Sequence, residues 1–379
     1  MSHAQMIVRN DNIKSRRLYI AFELSNSKWK LMFGNGIKKR RKTIDARDVE
    51  TLTKEIAVAM RHFGMADDVD VYSCYEAGRD GFWLHRCLES FGIHNVVVDS
   101  SSIEVNRRHR RAKTDRIDVG KLFMMLIRYV NGEQKLWSVV HVPTVEQEDI
   151  RRLSREIERL KKERTAHTNR IKSLLILHGI ESKIGSHFLQ TLDKVVQWNG
   201  ERLPDVLKRE ILREYRRYEL IQYQLKVLAT EQERVLEGNS IPAEKVLALR
   251  HLKGIGPVSS WTLVFEFFGW RTFNNVKQVG ASAGLAPTPH ASGDLQREQG
   301  ISKAGNRRVR STMIELSWFW LRYQPQSALS RWVMTRFGGG GKRMRRIGIV
   351  ALARKWLVAL WKYLEKGLVP EGALLKPLT

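Results

Sequence analysis

Cysteine is almost missing from this sequence: Cys74 and Cys87 are the only two in 379 residues. Two thiols make neither a disulfide framework nor a zinc site. No run of about 18 uncharged apolar residues occurs, which argues against a membrane-spanning helix. The first thirty residues lack the pattern of a secretory signal, so a soluble, cytoplasmic protein without a membrane partner is expected. Acidic residues are also scarce, with 40 Asp and Glu against 66 Lys and Arg and a formal net charge of +26. Such an excess repels itself in a compact chain unless a polyanion is the normal partner. Hydrophobic residues make up 42% of the sequence, enough for real cores, which excludes wholesale disorder. The length suits two domains and a connector.

The charge is unevenly spread. Residues 301–379 hold sixteen basic and three acidic residues, a net +13, half the total in about a fifth of the chain. Solubility does not require such a bias, and nucleic acid explains it better than an anionic membrane surface.

Residues 17–24, 28–34 and 37–44 read as three short strands, broken at Ser25-Asn26-Ser27 and at Gly34-Asn35-Gly36, the latter a hairpin signal. A helix is predicted over 47–63, an alternating strand over 69–75 ending at Glu76-Ala77-Gly78, a helix over 81–91 and a buried strand over 94–98. A three-strand meander followed by alternating helix and strand describes a mixed sheet with covering helices, and the RNase H-like fold is one such sheet. A basic run, Asn106-Arg107-Arg108-His109-Arg110-Arg111, precedes a helix expected from 114 to 129. Two long, charged helical stretches, from Pro143 to about His178 and from 203 to 236, read as an antiparallel pair, a coiled-coil-like spacer or dimerisation arm.

The remainder is expected to be mainly helical. Leu252-Lys253-Gly254-Ile255-Gly256-Pro257 before an apolar helix over 258–268 resembles a helix-hairpin-helix turn, whose backbone N–H groups can approach a phosphate. Residues 284–300 read as loop. A helix follows Lys303-Ala304-Gly305-Asn306-Arg307-Arg308, and 344–364 reads as a basic, Trp-bearing helix. The spacing of Trp318, Trp320, Trp356 and Trp361 suits core better than base-stacking platforms. Gly338–Gly341 requires a hinge or a close approach. The expected parts are thus a metal-binding α/β domain over 1–142, a helical linker over 143–240 and a helical domain over 241–379.

Two-metal phosphoryl transfer needs several carboxylates around hard cations. Glu23 at the first strand, Glu76 at the end of the fourth, and Asp115 with Asp118 three apart on a helix form a candidate set. Singly, each has a structural reading: Glu23 a solvated strand residue, Glu76 a helix-entry carboxylate, Asp115 a cap, Asp118 a partner of Lys121 or Arg116. The case lies in their joint placement on two strands and a terminal helix, where RNase H-like sheets carry their ligands.

Three ordered motifs extend this. Tyr75-Glu76-Ala77-Gly78-Arg79-Asp80-Gly81-Phe82-Trp83-Leu84, then Lys113-Thr114-Asp115-Arg116-Ile117-Asp118, then Gly284-Leu285-Ala286-Pro287 through Ser292-Gly293 to Lys303-Ala304-Gly305-Asn306 run in this order. Over about residues 18–361 the sequence resembles the DEDD-type transposases of the insertion-sequence-110 family, the bridge-RNA-guided recombinases. The resemblance implies a Holliday-junction-resolvase-like N-terminal domain whose carboxylates, Glu23, Glu76, Asp115 and Asp118, hold Mg²⁺ or Mn²⁺. It also implies a C-terminal transposase domain with Ser292 as nucleophile. The family's first carboxylate is usually aspartate; the glutamate at position 23 moves the ligand by about a bond length, roughly 1.5 Å.

A serine hydroxyl needs help to lose its proton, and no Ser–His–Asp set is evident, although His290 is two residues from Ser292. By itself Ala291-Ser292-Gly293-Asp294 is also a good turn. The resemblance implies attack by Ser292 on a DNA phosphodiester to form a phosphoserine linkage, within a homo-oligomer, a dimer or tetramer. The resemblance further implies donor and target DNA and a structured guide RNA as partners. Phosphate contacts are expected from Arg107, Arg108, Arg110, Arg111, Lys113, Lys253, Arg297, Lys303, Arg307 and Arg308. The rival readings are a metal-dependent nuclease or junction resolvase without serine chemistry, and a non-catalytic nucleic-acid-binding assembly protein.

Overall fold

The computed structural model describes residues 17–66, 68–103, 115–133, 135–292 and 295–376, with the backbone alone at 101, 115–118, 289–292 and 295–299. The basic positions Arg107, Arg108, Arg110, Arg111 and Lys113 lie outside the described residues. The chain divides into two compact units, Met1–Val142 and Pro143–Thr379.

The first unit is a mixed five-stranded sheet of β1 (Arg17–Leu24), β2 (Lys28–Gly34), β3 (Lys39–Asp45), β4 (Asp70–Glu76) and β5 (His94–Val98). Its order is β3-β2-β1-β4-β5. β1 pairs antiparallel with β2 and parallel with β4, and β5 is parallel to β4. β1 is central because Leu18-Tyr19-Ile20-Ala21-Phe22 is apolar on both faces, a run that only a strand covered above and below can bury. Helices α1 (Val49–His62) and α2 (Trp83–Ser90) cover one face, packing Leu52, Ile56, Leu84 and Leu88 against Leu18, Ile20 and Phe22. Helix α3 (Asp115–Val130) covers the other, placing Val119, Leu122, Phe123 and Leu126 on Tyr19, Ala21, Met32 and Cys74. β3 forms an edge rich in exposed Lys and Arg, a charge pattern that discourages pairing with a further strand.

The second unit is mostly helical. Helix α4 (Val145–Ile176) starts at a reciprocal cap: Thr144 Oγ1 accepts from Gln147 N–H at 3.2 Å and Gln147 Oε1 accepts from Thr144 N–H at 3.0 Å. After the short α5 (Phe188–Leu192), α6 (Asp205–Glu237) returns antiparallel along α4. Ile171 and Leu175 pack near Ile211 and Tyr215, whereas Ile157 and Leu160 pack near Ile221 and Leu228.

Next come α7 (Ile241–His251), α8 (Pro257–Leu263) continued by a π-helical turn over Val264–Phe268, and α9 (Val276–Ser282). The chain then forms an antiparallel hairpin, β6 (Pro287–Ser292) and β7 (Leu295–Ile301), followed by α10 (Arg307–Tyr323), α11 (Ala328–Phe337) and α12 (Lys342–Lys366). Trp320 and Trp356 are fully buried with ring centroids 4.6 Å apart, and Trp361 packs on the same core. Trp318 differs: two residues from Trp320 is about 200° around a helix, and it is half exposed. At the Gly338–Gly341 linker a Cβ on Gly338 or Gly340 would run into Met334 or Met344, so both positions serve a close approach.

Candidate active site

β1 and β4 end side by side. Their last paired residues are Phe22 and Tyr75, so the parallel register brings Glu23 and Glu76 next to each other one residue further on. Alternation puts both on the face that holds Ala21 and Cys74, the face that α3 covers. The two glutamates line a cleft of about 430 Å³ with Ser25, Asn26, Gly78, Arg79 and Asp80, over a floor that includes Phe22 and Tyr75.

The direction of α3 follows from its contacts. Gly120 lies over Met32, which pairs with Ala21, and Phe123 lies against Gly34, which pairs with Tyr19. Moving toward the helix start therefore moves along β1 toward Glu23. The first turn, with Asp115 and Asp118, heads to the end of the sheet that carries both glutamates; the two aspartate side chains lie outside the described residues. Among the described residues no three His, Cys, Asp or Glu side chains converge as metal ligands. The donor chemistry nevertheless suits a hard divalent cation, since carboxylate oxygens are what Mg²⁺ and Mn²⁺ take.

One clip at the cleft rim escapes sequence reading. Arg47 donates from Nη1 to Asn26 O at 3.1 Å and from Nη2 to Asp80 Oδ1 at 3.4 Å, tying the β1–β2 turn to the loop after β4. Arg47 does so from a left-handed backbone, φ 68°. The Asp80 carboxylate is 6% exposed and is approached also by Arg79, at 3.8 Å. Arg79 remains half exposed and lines the cleft. The Arg79-Asp80 pair stands inside the motif that begins at Tyr75, which was its only signal; nothing local marked Arg47.

Ser292 closes β6. Where the sequence reads as loop over 284–300, Pro287–Ser292 and Leu295–Ile301 pair as a hairpin, with Ser292 opposite Leu295 at the tip and His290 opposite Arg297. Pro287, Pro289 and Gly300 hide any apolar alternation, and the register slips between Pro287 and Pro289. The side chains of Ser292, His290 and Arg297 lie outside the described residues.

The base of this hairpin is pinned backbone to backbone. Lys303 N–H donates to Gly284 O at 3.1 Å, Ser302 N–H to Ala286 O at 2.8 Å and Asn306 N–H to Ser282 O at 2.9 Å. Arg310 Nη1 adds bonds to Ala283 O at 3.2 Å and Lys303 O at 3.0 Å. Gly284 (φ 68°) and Gly305 (φ 115°) are left-handed, and a Cβ on either would strike the opposing backbone. Asn306 Oδ1 caps α10 by accepting from Arg308 and Val309 N–H. The two motifs flanking Ser292 therefore hold each other.

The remaining basic residues separate by partner. Lys303 and Arg307 are exposed, and Arg308 is bonded through Nε to Glu158 Oε2 at 3.0 Å. Lys253 is exposed on the turn between α7 and α8, where Gly254 takes φ 102°. The backbone of that turn is engaged by the chain's own tail: Lys253 N–H donates to Leu374 O at 3.0 Å, and Lys376 Nζ to Ile255 O at 2.7 Å.

Residues 247–331, which contain the braced hairpin, match the family model described as "Transposase IS116/IS110/IS902 family". The putative transposase y4rJ of Sinorhizobium fredii is 40% identical over 95% of this chain and 94% of its own length. The chain belongs to the IS116/IS110/IS902 family of transposases. It is accordingly an enzyme of DNA cleavage and rejoining. Transposases of insertion sequences IS1328 from Yersinia enterocolitica and IS1111A from Coxiella burnetii are 26% and 28% identical, over 60% and 59% of this chain and 66% and 60% of their own lengths. Among the described residues of this transposase no helix is long and apolar enough to cross a membrane.

Proposed function

We propose that this transposase cuts and rejoins DNA through Mg²⁺, or Mn²⁺, held by Glu23, Glu76, Asp115 and Asp118, together with Ser292 as nucleophile. The observation that carries the reading is the neighbouring placement of Glu23 and Glu76 where two parallel strands end, with the first turn of α3 directed there. A parallel β1-β4-β5 set flanked by an antiparallel β2-β3 pair supports an RNase H-like, resolvase-type assignment for residues 1–142. A linker over 143–240 and a transposase domain over 241–379 complete the proposed organisation.

A bound divalent cation supplies charge stabilisation at the phosphate and the departing oxygen. Glu23, Glu76, Asp115 and Asp118 would hold it, and its positive charge would offset the repulsion among the carboxylates gathered at the strand ends. The Ser292 hydroxyl gives up its proton and forms an Oγ–phosphorus bond as one phosphorus–oxygen bond of the DNA breaks. The departing oxygen leaves as a hydroxyl, and the phosphoserine linkage keeps the ester bond for rejoining to a second DNA end. Arg79 at the cleft, and Arg297, Lys303 and Arg307 at the hairpin and α10, supply cations for phosphates. The basic run from Arg107 to Lys113 serves a guide RNA or the DNA.

A homo-oligomer is supported by α6. Leu220, Tyr223 and Val227 are exposed by 57%, 65% and 46% and follow one another at helical spacing, an apolar stripe that α4 leaves uncovered.

Incubation with labelled element-end DNA, element-derived RNA and Mg²⁺, followed by a denaturing gel, tests the mechanism. A protein-linked DNA band absent in Ser292→Ala is the expected result. Cleavage without any linked product, unchanged in Ser292→Ala, would leave a metal-dependent nuclease instead.

A further inference from the structure

A second cleft lies among α11, α12 and the base of the β6–β7 hairpin, with a volume of about 1360 Å³. Its floor is apolar and aromatic. Trp332 and Phe337 meet edge to face with centroids 5.7 Å apart. Phe337 is held against α12 because Gly348 opposite it has no side chain: a Cβ there would sit 2.9 Å from the Phe337 Cβ. Exposed Ile347 continues the floor along α12.

The rim is cationic. Among the described lining residues eight are Lys or Arg and none is Asp or Glu. Among the described residues none of the eight has a carboxylate partner within ion-pair distance. Lys355 Nζ sits 4.5 Å from the centroid of the Trp332 ring, so the aromatic floor itself holds one of the cations.

Such a groove is costly when empty, because its cations repel one another and its floor keeps apolar area in water. A ligand that relieves both must be polyanionic and must present flat apolar faces. An acidic peptide brings charge without the faces. Double-stranded nucleic acid brings phosphates but keeps its bases stacked inside, so it would meet the rim and leave the floor wet. A strand with unpaired bases satisfies both requirements. We propose that this groove binds a single-stranded stretch of nucleic acid, with bases against Trp332 and Phe337 and phosphates at Arg343, Arg346 and Lys355. Membership in a transposase family supplies only the presence of nucleic acid. The groove does not rest on the roles of Ser292 or the carboxylates, so its test can fail while theirs succeeds.

The test uses the full-length protein and fluorescent oligo-uridine, oligo-thymidine and hairpin-duplex probes of about 12 nucleotides per strand. Arg343→Glu with Arg346→Glu should weaken single-strand binding by at least about tenfold at moderate salt. Ile347→Asp, at a position 45% exposed, should do the same, with circular dichroism checking that the fold is kept. Duplex affinity should change by less than about threefold in Ile347→Asp, because the duplex meets only the rim. A photoreactive 4-thio base in the single-stranded probes should crosslink to α11 or α12. Whichever of oligo-uridine and oligo-thymidine binds more tightly identifies the strand, RNA or DNA, and both rankings support the groove. Equal losses for duplex and single strand in Ile347→Asp would overturn the proposal in favour of a general basic surface. Loss of self-association in Ile347→Asp with oligonucleotide affinity unchanged would overturn it in favour of a contact between copies of the chain.

Discussion

Arg155 and Glu266 meet as a two-bond ion pair across 111 residues of sequence, with Nε–Oε1 at 2.7 Å and Nη2–Oε2 at 2.9 Å. Glu266 belongs to the π-helical turn after α8, and its side chain is 2% exposed. Its carbonyl oxygen accepts from Asn306 Nδ2 at 3.0 Å. The pair thus joins the long helix α4 to the asparagine that caps α10 and braces the hairpin of Ser292. Hydrogen bonding to Glu266 raises the Arg155 pKa, outweighing the opposite effect of burial.

Removing the arginine leaves a buried carboxylate without its partner. Arg155→Ala is expected to cost about 2–4 kcal/mol of stability, while Glu266→Gln costs less because no uncompensated buried charge remains. Urea denaturation of the two variants measures the difference, and an unchanged midpoint in Arg155→Ala would refute the role given to the pair.

At the carboxylate cleft, Glu76→Gln and Glu23→Gln should each lower strand transfer by roughly a thousandfold, the scale of several kcal/mol of lost charge stabilisation. DNA binding by electrophoretic shift should persist. Glu23→Asp keeps the charge and shortens the arm by about 1.5 Å, so it should retain far more activity than Glu23→Gln. Equal activity of Glu23→Asp and Glu23→Gln, both near wild type, would remove Glu23 from the ligand set.

The hairpin brace makes its own prediction. Gly284→Ala and Gly305→Ala combine a left-handed backbone with a collision against opposing main chain, and each should destabilise by roughly 2 kcal/mol or more. Hydrogen exchange should quicken first in residues 284–306. Protection there equal to wild type would mean that the brace yields without cost.

Glu214 on α6 is the charge centre of the helix pair, with His167 Nδ1 and Arg170 Nη1 each 2.6 Å from its Oε2 and Arg217 Nη1 bonded to Oε1. Burial acts to raise its pKa, but the bonds from His167 and Arg170 and their charges prevail and hold it below the ordinary glutamate value. A depressed folded-state pKa means that this stabilisation is full above the unfolded value, about 4.3, and is lost as pH falls through the folded one. Melting temperature should therefore drop on acidification below about pH 4.3, and Glu214→Gln should flatten that part of the profile while costing about 1–3 kcal/mol at neutral pH. A wild-type slope preserved in Glu214→Gln would assign the acid sensitivity elsewhere.

The apolar stripe on α6 predicts that Leu220→Glu with Tyr223→Glu weakens self-association by about a hundredfold or more without unfolding the chain. Light scattering across a concentration series reads this directly. An unchanged oligomer would exclude the stripe as the contact.

Much of the first unit was legible in sequence. The five strands fall within two residues of where alternation, apolar runs and the turn signals at Ser25-Asn26-Ser27 and Gly34-Asn35-Gly36 put them. The apolar run of β1, buried on both faces, has few other ways to satisfy its side chains, and the exposed edge β3 is marked mainly by the hairpin before it. The long helices α4 and α6 were legible from their charged periodicity. The β6–β7 hairpin was not, since two prolines and a polar composition erase the period on which strand recognition depends. Helix α11 was missed because it is short and only Ser330 and Val333 of its ten residues are fully buried.

What the sequence determined by itself was composition and local pattern: a basic chain, four candidate carboxylates, a serine between two motifs, and periodicity sufficient for the main elements. The tertiary structure decided which of these stand together. Glu23 and Glu76 are 53 positions apart and become neighbours only because β4 inserts parallel to β1 and ends level with it. Gly284 and Gly305 face each other only through the hairpin between them, and the cationic groove exists only where α11 and α12 meet its base. Charge and period are properties of neighbouring residues, whereas registry between distant strands and the closeness of two backbones are set by packing the whole core at once.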